Sequence, residues 1–362
     1  ATAHQVKDMG MATWDPATFN PHDFEYLRDP HPTYAKFREH APVHFVGYYY
    51  NAYWVFGYDD VKRVIEDWKV FPKNALADAP PSPTPPPFSV RDGMPKGIFS
   101  ADPPDHTHIR KADEKPFLGS IDDAQSLASA QARRLLREVK TSARFDLYSN
   151  YALKLPPHVL FESLGIPTLD QTGIEGWVAA VVAGNDPTQA ISIRAAAGTF
   201  AFALLSYFQA LLAQCPHISS TTRLSAQVAE AVNDGSNALS LDQALATLQN
   251  ITIAGYLSTT FLIATGTYDL LQNPEQLQML RDDPSLIPQA VRELLRYNAP
   301  AQIVERVAAE TVELSGVSIP KDAKIMAVIG SANRDESVFP NADQPDIPRD
   351  TSQQIAFGTA DH

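Results

Sequence analysis

Apolar positions along this chain of 362 residues recur at two spacings, and the elements they predict fall into three regions. Near the start, PHPTYAKFREHAPVHFV reads as a short helix leading into a strand. The aromatic-rich runs VHFVGYY and YWVFGY flank an Asn-containing turn, which predicts a β-hairpin. DDVKRVIEDW opens on acidic residues and continues at helical spacing, so a helix follows. ADAPPSPTPPPFS, with most of its prolines within residues 78–89, can be neither helix nor central strand and is predicted as a long loop inside one domain. Beyond it, SIDDAQSLASAQARRLLREVK, SLDQALATLQNITIAGYLSTTFLIATGTYDLL, NPEQLQMLRDD and IPQAVRELLRY all carry helical spacing. AAETVELSGVSIPKDAKIMAVI then returns to strands, with a Gly turn and a Pro-Lys-Asp turn. There is no internal repeat. The pattern predicts a mainly α chain with small β-sheets (α+β). It forms a single domain over 1–362, with a β-rich lobe at roughly 40–75, a helical body at roughly 100–300 and a C-terminal β region at 301–362.

Composition narrows the classes. Apolar residues make up 44% and charged residues 20%, as in ordinary globular proteins. A net charge of −13 argues against a nucleic-acid surface, which needs a basic face, but leaves room for a local basic patch. The one cysteine, Cys215, excludes an intrachain disulfide and fits a reducing compartment. The polar N-terminus has no apolar signal core, and no stretch is expected to reach the length of a membrane span. The expectation is a soluble, cytoplasmic protein with no membrane and no nucleic acid among its partners.

The segment around Ala254 to Leu271 is apolar almost all round and is therefore expected to be central and buried. It contains the polar run YLSTT. Ser258, Thr259 and Thr260 either bond back to their own helix carbonyls or mark a helix opened locally for a ligand or water. Four charged groups stand out. Glu293 and Arg296 share a helix face in VRELLRY, the spacing of an ordinary solvated pair worth a few tenths of a kcal/mol. Arg306 lies inside an apolar run that reads as a strand. Arg349 lies in an irregular stretch near the end. In FSADPPDHTHIRKADEKPF the two prolines mark a helix start, and His106 and Arg110 stand one turn apart on it. With Arg306 these form a candidate cationic clamp for an anionic ligand; ordinary helix-surface charges are the other reading. The remaining histidines have no metal-ligand spacing.

Taken together these residues resemble the cytochrome P-450 superfamily, the haem-thiolate monooxygenases, in its soluble bacterial form. ADPPDHTHIR looks like the helix covering one haem face. AGYLSTT sits where the oxygen-binding helix has its Ala-Gly-x-acid-Thr-Thr run. ELLR, Glu293 to Arg296, is the Glu-x-x-Arg motif. AFGTADH is the opening of the haem loop. The resemblance covers nearly the whole chain and implies heme b as cofactor and dioxygen as oxidant. It also implies a small or mid-sized apolar organic substrate and electrons from an iron–sulfur ferredoxin or flavodoxin. It implies that His106, Arg110, Arg306 and His362 hold the haem propionates and that Phe357 packs near the thiolate side. Glu293, Arg296 and Arg349 form a buried charge network behind the haem; a buried carboxylate with two arginines is less costly than with one. Ile303, Val304 and Ala254 face the substrate. Lys111 and Lys115 are candidate contacts for an acidic electron donor, or ordinary solvated lysines.

Two departures follow. Counting back from QNPEQ places Leu257 at the acid position, Ser258 at the usual threonine and Thr259 at the second, with Ala254 and Gly255 also matching. The alternative register puts Ser258 at the acid and Thr259 at the threonine. Either way the carboxylate that relays protons to dioxygen is missing. Proton delivery is then expected through water or substrate groups, or the enzyme performs a less usual oxidation or uses peroxide. The second departure is the end. The axial cysteine, whose thiolate favours O–O cleavage, is expected two positions past His362, and Cys215 is in the wrong context to replace it. Three accounts are open: a longer monooxygenase, a true truncation, or a haem-free relative acting as a binding partner. The intact clamp and the apolar area a last helix would bury favour the first.

Overall fold

The hairpin predicted near the N-terminus forms between β1 (Val43–Val46) and β2 (Ala52–Val55), with Val43 opposite Val55 and Asn51 left-handed in the turn. A computed structural model describes residues 14–47, 51–73, 97–140, 144–185, 191–214, 224–233 and 239–358. The strands predicted near the other end also form: β3 (Val304–Val307), β4 (Val312–Leu314), β5 (Val317–Ile319) and β6 (Lys324–Ala327). β4 and β5 make their own hairpin. Its turn residues Ser315 and Gly316 both have positive φ, the pairing that a two-residue turn matched to strand twist requires. β6 inserts beside β2 in parallel and takes β3 antiparallel on its other edge, giving the order β1-β2-β6-β3. One sheet is therefore built from both ends of the chain, where the sequence pattern suggests two separate β regions.

The helices are α1 (Phe24–Arg28), α2 (His31–His40), α3 (Tyr58–Glu66), α4 (Asp105–Lys140), α5 (Leu155–Leu164), α6 (Thr168–Asn185), α7 (Ile191–Gln214), α8 (Leu224–Asn233), α9 (Leu241–Gln272), α10 (Pro274–Asp282), α11 (Ile287–Tyr297) and α12 (Ile329–Ala332). α4 starts directly after Pro103-Pro104, as the prolines predict, and continues to Lys140 as one element. α9 starts with a capping box: the Ser240 hydroxyl accepts the Gln243 N–H at 3.2 Å while the Gln243 side chain accepts the Ser240 N–H at 2.9 Å.

Three apolar clusters hold these elements. One lies against the sheet and joins Val55, Val61 and Phe71 to Ile325, Phe339 and Ile355. A second is helical and gathers Phe161, Leu204, Phe208, Leu248 and Tyr256. The third is aromatic, with Phe37 and Phe56 stacked at 4.2 Å beside Trp54. α9 runs through the second cluster and packs against α5, α6, α7, α8, α10 and α11.

Two expectations are corrected. The most apolar half of α9 is not the most buried. Its sequestered positions concentrate between Ala244 and Tyr256, whereas Phe261, Tyr268 and Leu271 are exposed. Past Thr260 the helix meets α11 and its end through Gly266, which packs against Leu294, and Asp269, which accepts from Asn298, while Phe261, Tyr268 and Leu271 are left to solvent. The second correction concerns span length: Ala195–Gln214 in α7 has 20 residues at mean hydropathy 1.5, long and apolar enough by composition to cross a membrane. Here its Ala197, Ala201, Leu204 and Phe208 are buried, most of them in the helical cluster.

Candidate functional site

Glu293 and Arg296 lie one turn apart on α11, the spacing of a solvated pair, yet both side chains are fully buried. Arg296 donates through Nε to Glu293 Oε2 at 2.8 Å and through one terminal nitrogen to Oε1 at 2.7 Å. Its remaining donors reach the carbonyls of Asn333, Ala342 and Gln344 at 2.8, 3.0 and 3.4 Å. All five guanidinium donors are thus used. Arg349 adds Nε at 3.1 Å to Glu293 Oε1, and the Asp346 N–H donates to the same oxygen at 2.9 Å. Arg349 also donates to the carbonyls of Pro340, Asn341 and Gln344. A carboxylate taken out of water is tolerable because both of its oxygens accept hydrogen bonds, two of the four donors being charged groups of one arginine and a third that of another. This cluster pins α11 to the irregular segment 333–349.

A second charged cluster is built differently. Arg306 on β3 is buried, and among the described residues its one hydrogen-bond acceptor is the carbonyl of the adjacent Glu305, at 2.8 Å. No ion pair within reach of its guanidinium forms among those residues. Burial pushes its pKa down, and the charge of Asp102 works against that. Asp102 sits just before α4. Its carbonyl accepts the His106 N–H at 3.0 Å, and its Oδ2 accepts the backbone N–H of Lys73 at 2.8 Å. The Lys73 amine is half-buried and lowered to about 8, first by burial and then by the like charge of Arg306, with Asp102 opposing. The start of α4, the segment after α3 and strand β3 therefore bring Arg306, Lys73, Asp102 and the buried His106 into one neighbourhood. Arg110, a turn beyond His106, is exposed. Lys111 is exposed too and lines a shallow depression with Trp68, Pro103, Pro104, Thr107 and His108. Lys115, His362 and Cys215 lie outside the described side chains.

On α9 the helix is unbroken through YLSTT. Ser258 donates back to the Ala254 carbonyl and Thr260 to that of Tyr256 at 3.0 Å. Thr259 is exposed, while Leu257 is half-buried against the helical cluster. Gly255 packs toward Leu160 of α5. The segment leading to α4 meets α9 closely: a methyl at Gly97 would run into the Asn250 amide and stand 3.0 Å from the Ala246 side chain, so a larger residue here would need Asn250 to move. Ile303 packs partly into the aromatic cluster and Val304 into the sheet cluster. Ile355 and Ala356 are buried, but Phe357 turns outward and is 74% exposed, next to Gly358 at φ 88°.

Sequence reasoning missed Lys73 and Asp102, and also a third polar group. Arg334 lies 3.7 Å over the Tyr297 ring and donates to the Tyr297 carbonyl at 2.9 Å. The Asn298 amide donates to Asp269 of α9 at 2.7 Å, while its oxygen faces His31, whose pKa burial lowers to about 4. Burial raises the Asp269 carboxyl. None of these had a motif spacing. The pair of Asn298 following Tyr297 at the end of α11 was the only local hint.

The profile of the Cytochrome P450 family matches residues 220–355. A vitamin D(3) 25-hydroxylase of Pseudonocardia autotrophica is 33% identical over 347 residues, covering 93% of this chain and 81% of that protein. A 6-deoxyerythronolide B hydroxylase of Saccharopolyspora erythraea is 32% identical, covering 92% of this chain and 83% of its own. Among solved structures, the bacillaene polyketide synthase cytochrome P450 PksS of Bacillus subtilis superposes with a TM-score of 0.83 at 27% identity, over 95% of this chain and 86% of that one.

Proposed function

The chain belongs to the cytochrome P450 family, an oxidoreductase family that binds haem b, and from that premise we propose that it inserts one oxygen atom from dioxygen into a small or mid-sized apolar organic molecule. The observation that carries the reading is Arg306: a buried cation whose donors are mostly unspent among the described residues, in one neighbourhood with Lys73 and the start of α4. Such a group suits a carboxylate-bearing ligand, because an anion would offset the cost of its burial. Haem b carries two carboxylates, so the residues present fit it. His106, Arg110 and Arg306 hold those carboxylates in this reading, with His362 as a further contact. When bound, haem supplies the activation of dioxygen and the oxidising power for the transfer.

The chain's own residues set the surroundings. Glu293, Arg296 and Arg349 fix the segment that leads to residues 353–358. Ala254, Ile303 and Val304 offer apolar surface to the substrate and keep water away from it. Leu257 holds no proton, and the Ser258 hydroxyl hydrogen is committed to the Ala254 carbonyl. A proton relay along α9 therefore runs through water or a polar group of the substrate, or the enzyme uses peroxide, which arrives with its own protons. Electrons come from a ferredoxin or flavodoxin docking near Lys111. Two of the relatives are named for hydroxylating vitamin D(3) and 6-deoxyerythronolide B, which supports hydroxylation of an apolar organic substrate here.

A reduced carbon-monoxide difference spectrum of the full-length protein tests the reading. A Soret band at the thiolate position is the expected result; a protein without any haem signal sinks it. Leu257→Glu tests the relay: product formed per reducing equivalent is expected to rise several-fold if a missing acid limits proton delivery. An unchanged ratio would count against a missing relay.

A further inference from the structure

Lys73 has no part in the reading above, yet two independent contacts fix where it sits. Its backbone N–H is bound by Asp102 at 2.8 Å, and the Asp102 carbonyl in turn receives the His106 N–H at 3.0 Å. Three residues earlier, the Val70 carbonyl accepts the Ala309 N–H at 2.8 Å, which ties the same segment to the end of β3. Residue 73 is thus held at the junction of the α4 start and the strand that carries Arg306. Its amine makes no ion pair with any described residue, although it is half-buried and feels the Arg306 charge strongly enough, together with burial, to fall to about 8.

Both cations are partly out of water, so each carries a desolvation cost, and the Arg306 charge works against protonation of Lys73. Asp102 offsets one positive charge, and its Oδ2 is already engaged by a backbone N–H. Among the described residues the neighbourhood sets two cations against the one carboxylate of Asp102. We propose that Lys73 is a further carboxylate-binding residue of the haem site, acting with Arg306 and His106 on the propionates. The proposal rests on the haem reading and extends it to a residue that precedes the proline-rich stretch and matches none of the motifs. Among the described residues, Arg306 from β3 and Asp102 from the start of α4 are the charged groups whose fields reach the Lys73 amine.

The test compares haem with haem dimethyl ester, in which both carboxylates are neutral. The full-length protein is loaded with each, and release to excess apomyoglobin is followed in the Soret region for the wild type, Lys73→Met and Lys73→Arg. Loss of a charge-assisted contact is expected to speed haem release about tenfold in Lys73→Met. Release of the dimethyl ester should match the wild type, and Lys73→Arg should restore most of the haem retention. Equal acceleration for both ligands would make Lys73 a structural residue and overturn the proposal, as would no acceleration for either. A wild type that retains haem no better than its ester would overturn the carboxylate cradle as a whole. A wild type that takes up neither would sink the haem reading beneath it.

Discussion

Arg296 and Arg306 are both buried arginines about ten residues apart in the chain, and they solve burial in opposite ways. Arg296 places all five donors on Glu293 and three carbonyls, and Glu293 takes a second arginine and a backbone N–H besides. Arg306 has one carbonyl acceptor among the described residues, and its charge reaches a second cation, Lys73. The first cluster is closed: everything it needs is in the chain, and it serves to hold α11 against the segment 333–349. The second is open: it has charge to spare, at a cost to the folded protein, and it becomes favourable when an anion arrives. A satisfied buried charge marks architecture, and an unsatisfied one marks a ligand site.

The largest effect should come from breaking the closed cluster. Glu293→Gln leaves Arg296 charged and buried opposite a neutral amide and is expected to cost about 3–5 kcal/mol in chemical denaturation of the protein. A cost under about 1 kcal/mol would mean that the carbonyls alone hold Arg296. Arg349→Met removes one arginine whose side chain is 9% exposed and leaves Glu293 with Arg296, so about 1–3 kcal/mol is expected. Arg306→Met should behave in the opposite sense. In the haem-free protein it is expected to change stability by less than about 1 kcal/mol, or to stabilise, since a poorly compensated charge is lost. A loss as large as that of Glu293→Gln would erase the contrast between the clusters.

A pH dependence sharpens the same contrast. The folded-state pKa of Lys73, about 8, lies below its ordinary value of 10.5. Below pH 8 the amine is charged in both folded and unfolded chains, and the burial penalty is fully present. Between about 8 and 10.5 the unfolded chain still binds a proton that the folded chain has released, so stability rises with pH. The difference in unfolding free energy between wild type and Lys73→Met, measured without haem, should therefore move in favour of the wild type across that window. A flat difference would make Lys73 an ordinary solvated lysine.

Much of the architecture was legible in local pattern. The aromatic-rich runs VHFV and YWVF around an Asn-containing turn yielded β1 and β2, the prolines of ADPPDHT marked the start of α4, and the Gly of LSGV marked the β4–β5 turn. The closed cluster was half legible: the Glu293–Arg296 spacing is a surface pair by itself and becomes a buried one only through the resemblance that also supplied Arg349. The open cluster was less so. Arg306 was visible as a charge in an apolar strand, but Lys73 looked like any lysine before a loop and Asp102 like any residue ahead of a helix. The burial of α9 was misjudged as well, since all-round apolarity says that a helix can be buried and not which half finds neighbours.

The sequence by itself determined the elements, because side-chain periodicity and turn chemistry act over a few residues along one backbone. It also marked Arg306 as a charge inside an apolar strand. The tertiary structure decided which charges are satisfied. It set β6 beside β2 from the far end of the chain, folded 333–349 over Arg296, and brought Lys73 and Asp102 to Arg306. Desolvation and ion pairing depend on distances between segments that the chain keeps far apart, so the same residue type becomes a structural rivet in one place and a ligand-binding group in the other.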